Sequence, residues 1–245
     1  VASAQANPEG LVGRSPAFQK ALSLAERVAH SEATVMLLGE SGTGKELMAE
    51  AIHRMSTRSG GPFVPVECAG LPDTLFESEL FGYVRGAFTG ADSTKIGLFA
   101  EAHKGTIFLD EIGEIAPSAQ IKLLRVLQSQ KFERIGGEKT LSVNVRILAA
   151  TNKDLLREVT NGNFREDLFY RLNVIPIHLP PLRKRRNDIP LLARHFMAKY
   201  VAEIKKDVAG ISQEALDQLV TYAWPGTHSE RIVATMEEVI ARLDS

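Results

Sequence analysis

A single cysteine and a single tryptophan stand among 245 residues. One cysteine excludes an internal disulfide framework and a cysteine-based zinc site. Cys68, set in "FVPVEC", reads as a small buried side chain and not as a nucleophile. No apolar run approaches the ~20 residues that cross a bilayer. The opening "VASAQANPEG" lacks the basic and apolar regions of a signal peptide, so a reducing, cytoplasmic location without membrane contact is expected. Net charge is nearly absent too: 29 Lys+Arg against 30 Asp+Glu leave −1, too little for a protein that grips nucleic acid through its overall field. The six histidines are scattered, none at metal-ligand spacing, and each reads as packing or surface. No internal repeat or low-complexity tract appears. The chain contains 44% hydrophobic and 24% charged residues, an ordinary globular balance with material for one large or two modest domains.

Residues 1–10 are small, polar and Pro/Gly-bearing, and read as a linker. A helical pattern starts near Ser15, with Phe18, Leu22 and Ala25 or Val28 on one face. "TVMLLGESGTGKELMAEAIH" gives an apolar strand, a glycine loop and a helix. "FVPVE", "TIFLD", "VRILAAT" and "NVIPIHL" are further strand-like runs among helical segments. Alternation of this kind predicts an α/β fold with a parallel sheet covered on both faces. The texture changes at Pro180 and Pro181. Beyond them Ile189, Leu192, Phe196, Tyr200 and Ile204 recur at helical spacing, and so do Ile232, Met236, Val239, Ile240 and Leu243. The expected organisation is a linker over 1–10, an α/β body over 11–182 and a small helical subdomain over 183–245. The "RKRR" run at 183–186 has no interleaved aromatics and reads as a solvated linker face.

Gly39-Glu40-Ser41-Gly42-Thr43-Gly44-Lys45-Glu46 has the Walker A spacing, between a strand and a helix. Its glycines turn backbone N–H groups toward a phosphate, the helix presents its positive end, and Lys45 reaches the β- and γ-phosphates. The bland alternative is a glycine turn that merely joins strand to helix; the lysine and the flanks favour the phosphate site. Glu46 stands where Ser or Thr usually meets magnesium, so the metal must lean on water and on another carboxylate. "TIFLDE" supplies it, as a Walker B strand end: Asp110 to hold Mg²⁺, directly or through water, and Glu111 to polarise the attacking water. ATP and Mg²⁺ are the expected cofactors.

"GAFTGA", Gly86-Ala87-Phe88-Thr89-Gly90-Ala91, makes a poor helix and a poor strand. Phe88 sits between small neighbours with little of its own to pack on, which predicts a flexible, apolar-tipped loop.

Here the sequence resembles the AAA+ central domain of bacterial activators of sigma-54-dependent transcription. The resemblance rests on "GESGTGKE", "ESELFGYVRGAFTGA", "GTIFLDEIGE", "KLLRVLQ", "ILAATN", "FREDLFYRLNV" and "PLRKRRNDIPLLARHF", across roughly residues 11–200. It implies a P-loop AAA+ three-layer parallel-sheet body with a C-terminal α-helical lid. It also implies a homo-oligomeric ring of six or seven subunits with ATP between neighbours. ATP hydrolysis would move the loop at 86–91 against the sigma factor and remodel the closed polymerase complex. Phe88 and Thr89 would make the central contacts, and Asn152 would sense the γ-phosphate. Arg165 and Arg171 match the pair of arginine fingers, although their spacing also permits ion pairing on a helix surface. "QSQKFERIGGEKTLSV" resembles a second surface hairpin beside the first loop. DNA recognition would belong to a domain of the parent protein absent from this chain.

Two positions depart from the family. Glu67 stands where Asn commonly holds the catalytic glutamate at rest, so an acid would meet Glu111 there; Glu67 is a switch candidate. The lid motif W-P-G-N-x-R-E here reads Trp224-Pro225-Gly226-Thr227-His228-Ser229-Glu230, with Ser229 in the arginine's place. Arg231, two steps of ~100° further on, would turn most of the way to the opposite helix face and is not expected to substitute unless the helix starts in a different register. Three functions therefore compete: an ATP-driven motor on sigma-54 polymerase, a nucleotide-blunted interaction module, and a different AAA+ remodeller. "GAFTGA" speaks against the last.

Overall fold

The computed structural model describes residues 10–70, 72–204 and 210–224. Helix α1 spans Pro16–Ala29, strand β1 Val35–Leu38, α2 Lys45–Arg54, β2 Phe63–Glu67 and α3 Asp73–Phe81. A short pair, β3 Gly82–Tyr83 and β4 Lys95–Ile96, precedes α4 Leu98–Glu101, β5 Thr106–Asp110 and α5 Pro117–Ser129. A second pair, β6 Lys131–Glu133 and β7 Thr140–Ser142, leads to β8 Arg146–Thr151, α6 Leu155–Thr160, α7 Glu166–Leu172 and β9 Ile175–His178. Helices α8 Ile189–Ile204 and α9 Gln213–Thr221 follow.

The five apolar runs expected as strands form one sheet, in the order β2-β5-β8-β1-β9. Pairing is parallel between β2 and β5, β5 and β8, and β8 and β1. The central strand β8 is buried at every position, as a strand covered on both faces must be. Both edge strands carry a proline, Pro65 in β2 and Pro176 in β9. Proline lacks the N–H a central ladder needs, so these strands are suited to the margins.

By its contacts the chain falls into two compact units. One holds Gly39–Met48 with the described residues of Val1–Leu24 and His178–Ser245; the other holds Ala25–Leu38 and Ala49–Ile177. The glycine loop thus groups with the helical segment, whereas the sequence reading drew its division at 182/183. The core of the second unit includes Met36, Phe81, Phe99, Ile107, Leu109 and Leu168. In the first unit Ile189, Ala193, Leu216 and Trp224 pack together. The expected pattern at Ile189 to Ile204 is α8; the stretch Ile232 to Leu243 lies outside the described residues.

Buried Arg146 at the start of β8 fixes the end of α1. Its Nη1 donates to Ala29 O at 2.6 Å and its Nη2 to Val28 O at 2.7 Å, while its Nε finds no hydrogen-bond partner. Those carbonyls are among the last of the helix and need donors. Val28 O also accepts from Ser31 N at 3.0 Å and Ser31 Oγ at 2.9 Å, so Arg146→Ala strands chiefly the Ala29 carbonyl and is expected to cost about 2 kcal/mol. A fall in the urea midpoint at pH 7 checks this; an unchanged midpoint would show that water replaces the guanidinium.

His53 is buried, its Nδ1 is 2.9 Å from Thr106 Oγ1, and its ring packs 5.3 Å from that of Phe63. Burial holds its pKa below the usual histidine value. Below about pH 6.5 the unfolded chain takes up this proton before the folded one, so the contribution is present above that pH and is lost on acidification toward the folded pKa. Urea midpoints between pH 7.5 and 5 are expected to fall more steeply for the parent than for His53→Gln. Parallel curves would remove His53 as the cause.

Candidate functional site

The chain leaves β1 at Leu38 and enters the glycine loop, whose shape rests on two residues with left-handed backbone, Gly42 at φ 72° and Gly44 at φ 94°. Thr43 Oγ1 donates to Glu40 O at 2.7 Å, and Lys45 is buried with Nζ 3.2 Å from both Gly39 O and Glu40 O. At Gly39 a Cβ would stand 2.8 Å from Thr43 Oγ1, so the loop closes only over a residue without a side chain. Glu46 is exposed in the first turn of α2.

A cavity of about 250 Å³ opens on this loop. Its floor is Glu40, Ser41, Gly42, Thr43 and Gly44. Its apolar wall includes Leu11, Val12, Phe18, Leu182, Phe196 and Trp224. A flat heterocycle fits the wall, and phosphates fit loop amides at a helix N-terminus.

The run "RKRR" was expected to be a solvated linker face, and two of its members are not. Arg183 makes a bidentate pair with Glu40, with Nη1 2.7 Å from Oε2 and Nη2 on Oε1. Arg185 is buried; its guanidinium carbon lies 4.9 Å from the centre of the Phe18 ring and Nη2 donates to Thr43 O at 3.2 Å. The partners stand more than 140 residues away in sequence, so charge spacing alone carried no sign of them. Asp188, also missed, is fully buried and accepts from Arg14 N (2.6 Å), Ser15 N (2.8 Å) and Ser15 Oγ (2.7 Å). It fastens the start of α1 beside the Leu11–Val12 wall.

In the other unit, Glu67, Asp110 and Asn152 stand at the carboxyl ends of β2, β5 and β8, with Glu67 and Asp110 in register. That edge is where open α/β sheets bind ligands. Asp110 Oδ1 accepts the Glu111 N–H at 2.9 Å, and Glu111 has left-handed backbone, φ 51° and ψ 42°. Among the described residues no group of three or more His, Cys, Asp or Glu could hold a metal ion. One strand-end carboxylate, Asp110, suits Mg²⁺, which takes one or two carboxylates with phosphates and water. Glu67 is exposed and its Oε1 accepts from Ala69 N at 3.2 Å. Burial, then the charges of Glu67, Asp110 and Glu111, push the Cys68 thiol well above its ordinary pKa, so it is inert as a nucleophile at neutral pH.

Arg165 is the residue before α7, Arg171 lies in its last turn, and both are exposed. Arg165 Nε and Nη2 pair with Asp167 at 3.0 and 2.7 Å, and Arg171 donates to Leu127 O at 3.3 and 3.1 Å.

The loop at 86–91 carries more internal hydrogen bonds than its composition predicts. Gly86 N donates to Ala91 O at 2.9 Å and Ala91 N to Phe88 O at 3.0 Å, with Gly86 at φ 82° and Gly90 at φ 95°. Phe88, expected to have little to pack on, meets Tyr83 edge-on at 4.9 Å between ring centres and stays 46% exposed. The second hairpin, β6–β7, does lie beside it: Val84 N donates to Ile135 O at 3.1 Å and Ile135 N to Gly82 O at 2.9 Å. Gly136 approaches so closely that a Cβ there would be 2.7 Å from Ala87 Cβ. The rings of Phe81, Phe99 and Phe132 form a cluster 5.8–6.1 Å apart that anchors both hairpins.

A parallel five-stranded sheet, a Walker A loop after its β1 strand and an acidic pair after β5 define the AAA+ class of P-loop nucleotide-binding proteins. The chain belongs to the sigma-54 interaction domain family, which matches residues 11–178; the AAA+ ATPase lid domain matches residues 183–230. It is 53% identical over 221 residues to the transcriptional regulatory protein ZraR of Klebsiella oxytoca, covering 90% of this chain and 50% of that protein. The crystal structure of NtrX from Brucella abortus superposes with a TM-score of 0.86 at 40% identity, over 93% of this chain and 51% of that one. NtrX in complex with ATP gives a TM-score of 0.82 at 41% identity, over 89% and 47%. The chain spans about half the length of these relatives.

Proposed function

We propose that this chain binds and hydrolyses ATP and uses the cycle to drive sigma-54 RNA polymerase from closed to open promoter complexes. The observation that carries this is the Gly39–Lys45 loop opening on an apolar-walled cavity, in a member of the sigma-54 interaction domain family. The amides of Gly42, Thr43 and Gly44 and the Lys45 ammonium hold the phosphates, with Glu40 and Ser41 completing the loop. Asp110 would hold Mg²⁺, which neutralises phosphate charge when bound. Glu111 would orient and polarise the attacking water, and Asn152 would sense the γ-phosphate. Arg165 and Arg171 exchange their present partners for the γ-phosphate of a neighbouring subunit, so hydrolysis requires a hexameric or heptameric ring. Phe88 and Thr89 press on the sigma factor. DNA recognition is assigned outside this domain. Among the described residues no helix is long and apolar enough to cross a membrane; a cytoplasmic location is proposed from the family.

ATPase rate measured against protein concentration tests the reading: a sharp rise shows sites completed between subunits, and a flat specific rate removes the finger assignment. The exposed Glu67 carboxylate beside Asp110 favours a second reading, a module with slow turnover. A steady-state rate no higher than that of Lys45→Ala decides for it. Ser229 lies outside the described residues; Ser229→Arg is expected to tighten ATP binding and raise the rate, and no change would remove the lid from the account.

A further inference from the structure

A carboxylate in a loop built to receive phosphate is a liability. Glu40 is the second residue of the glycine loop and lines its cavity, where its charge opposes a polyphosphate. Its oxygens are both engaged by one guanidinium, Arg183 Nη1 on Oε2 at 2.7 Å and Nη2 on Oε1. The fork geometry matches the carboxylate plane and makes this a charge-assisted pair. Arg183 holds the carboxyl of Glu40 below the usual range, chiefly through that hydrogen bond. The next arginine, Arg185, two residues on, grips the same loop at Thr43 O, which sets the register of the short Leu182–Arg185 segment against it. Both side chains of the pair are roughly one-third exposed, 37% for Arg183 and 36% for Glu40. Such a pair adds little to folding stability, so its value lies elsewhere.

We propose that Arg183 is a positioning residue for nucleotide binding, which neutralises Glu40 and so lets the glycine loop accept the full charge of a nucleoside triphosphate. This rests on the reading of the loop as the nucleotide site. The local charge is zero in the parent, −1 in Arg183→Ala, +1 in Glu40→Gln and zero in the double variant. Affinity for ATP rises with that charge: lowest in Arg183→Ala, highest in Glu40→Gln, and alike in the parent and the double variant. A structural tie behaves differently, because either single change breaks it and the second change adds nothing.

The test is a titration of the full chain with a fluorescent ATP analogue, displaced by ATP and by ADP, at low and high salt. Arg183→Ala is expected to weaken ATP binding about tenfold and ADP binding less, since ADP carries less charge. Glu40→Gln is expected to tighten ATP binding about threefold, and the double variant to return near the parent. The differences shrink at high salt. Arg183→Lys, which keeps the charge and loses the fork, falls between the parent and Arg183→Ala and serves if the alanine variant does not fold. Equal weakening in both single variants with no recovery in the double one overturns the proposal. So does parental affinity in Arg183→Ala. Binding that Lys45→Ala leaves untouched overturns the nucleotide site itself, and the proposal with it.

Discussion

Glu111→Gln is expected to leave ATP bound and to lower its hydrolysis at least ~100-fold. Glu111 follows directly on β5, half-buried, with its backbone turned into the left-handed region. A glutamate seldom adopts that conformation, and holding it there costs about 1 kcal/mol or more, a sign that this turn serves the site. The turn is secured through main-chain and Asp110 atoms, since Asp110 Oδ1 takes the Glu111 N–H at 2.9 Å. Glutamine keeps size and backbone but cannot polarise water as a carboxylate does. Asp110→Asn separates the two roles: its amide oxygen still caps the turn, while the charge that suits Mg²⁺ is gone. Nucleotide binding is then expected to lose its magnesium dependence in Asp110→Asn and to keep it in Glu111→Gln. A Glu111→Gln protein that turns over at the parental rate moves the water-activating role to another group.

The five main strands were legible because a parallel sheet buried on both faces needs continuous apolar runs, and "VMLL", "TIFLD" and "RILAAT" have no other easy use. The glycine loop was legible for a related reason: phosphate chemistry requires glycine and lysine at fixed spacing next to a strand and a helix. The two-residue strands β3 and β4 gave no pattern, since an alternation cannot show in two positions. Arg183, Arg185 and Asp188 were hidden for a different reason. Local composition marks them as solvent-facing, and only the return of the chain to Ser15, Phe18, Glu40 and Thr43 gives them partners. At Phe88 the difference runs the opposite way. The glycines alone suggest a floppy loop and give no sign of Tyr83, five residues upstream, which supports the ring.

That support gives the second large effect its logic. Phe88→Ala is expected to hydrolyse ATP within about twofold of the parent and to lose open-complex formation at a sigma-54 promoter by about 30-fold or more. An aromatic anchor at the centre of an interface commonly contributes ~2 kcal/mol or more, which is that factor. Phe88 is 46% exposed and leans edge-on against Tyr83, so it is presented by a packed base and not by a free tether. Phe88→Tyr keeps the ring and is expected to retain much of the activity. Gly136→Ala leaves Phe88 untouched, yet its new Cβ would stand 2.7 Å from Ala87 Cβ at a backbone φ of 72°, so the second hairpin must shift the first loop. Its open-complex yield is expected to fall between the parent and Phe88→Ala, again with ATPase preserved. If Phe88→Ala supports full open-complex formation, the ring is not the contact. If it loses ATPase in proportion, the loop acts on hydrolysis and not on the polymerase. Only loss of remodelling with retained hydrolysis, graded from Phe88→Tyr through Gly136→Ala to Phe88→Ala, fits a ring held out from a packed double hairpin toward another protein.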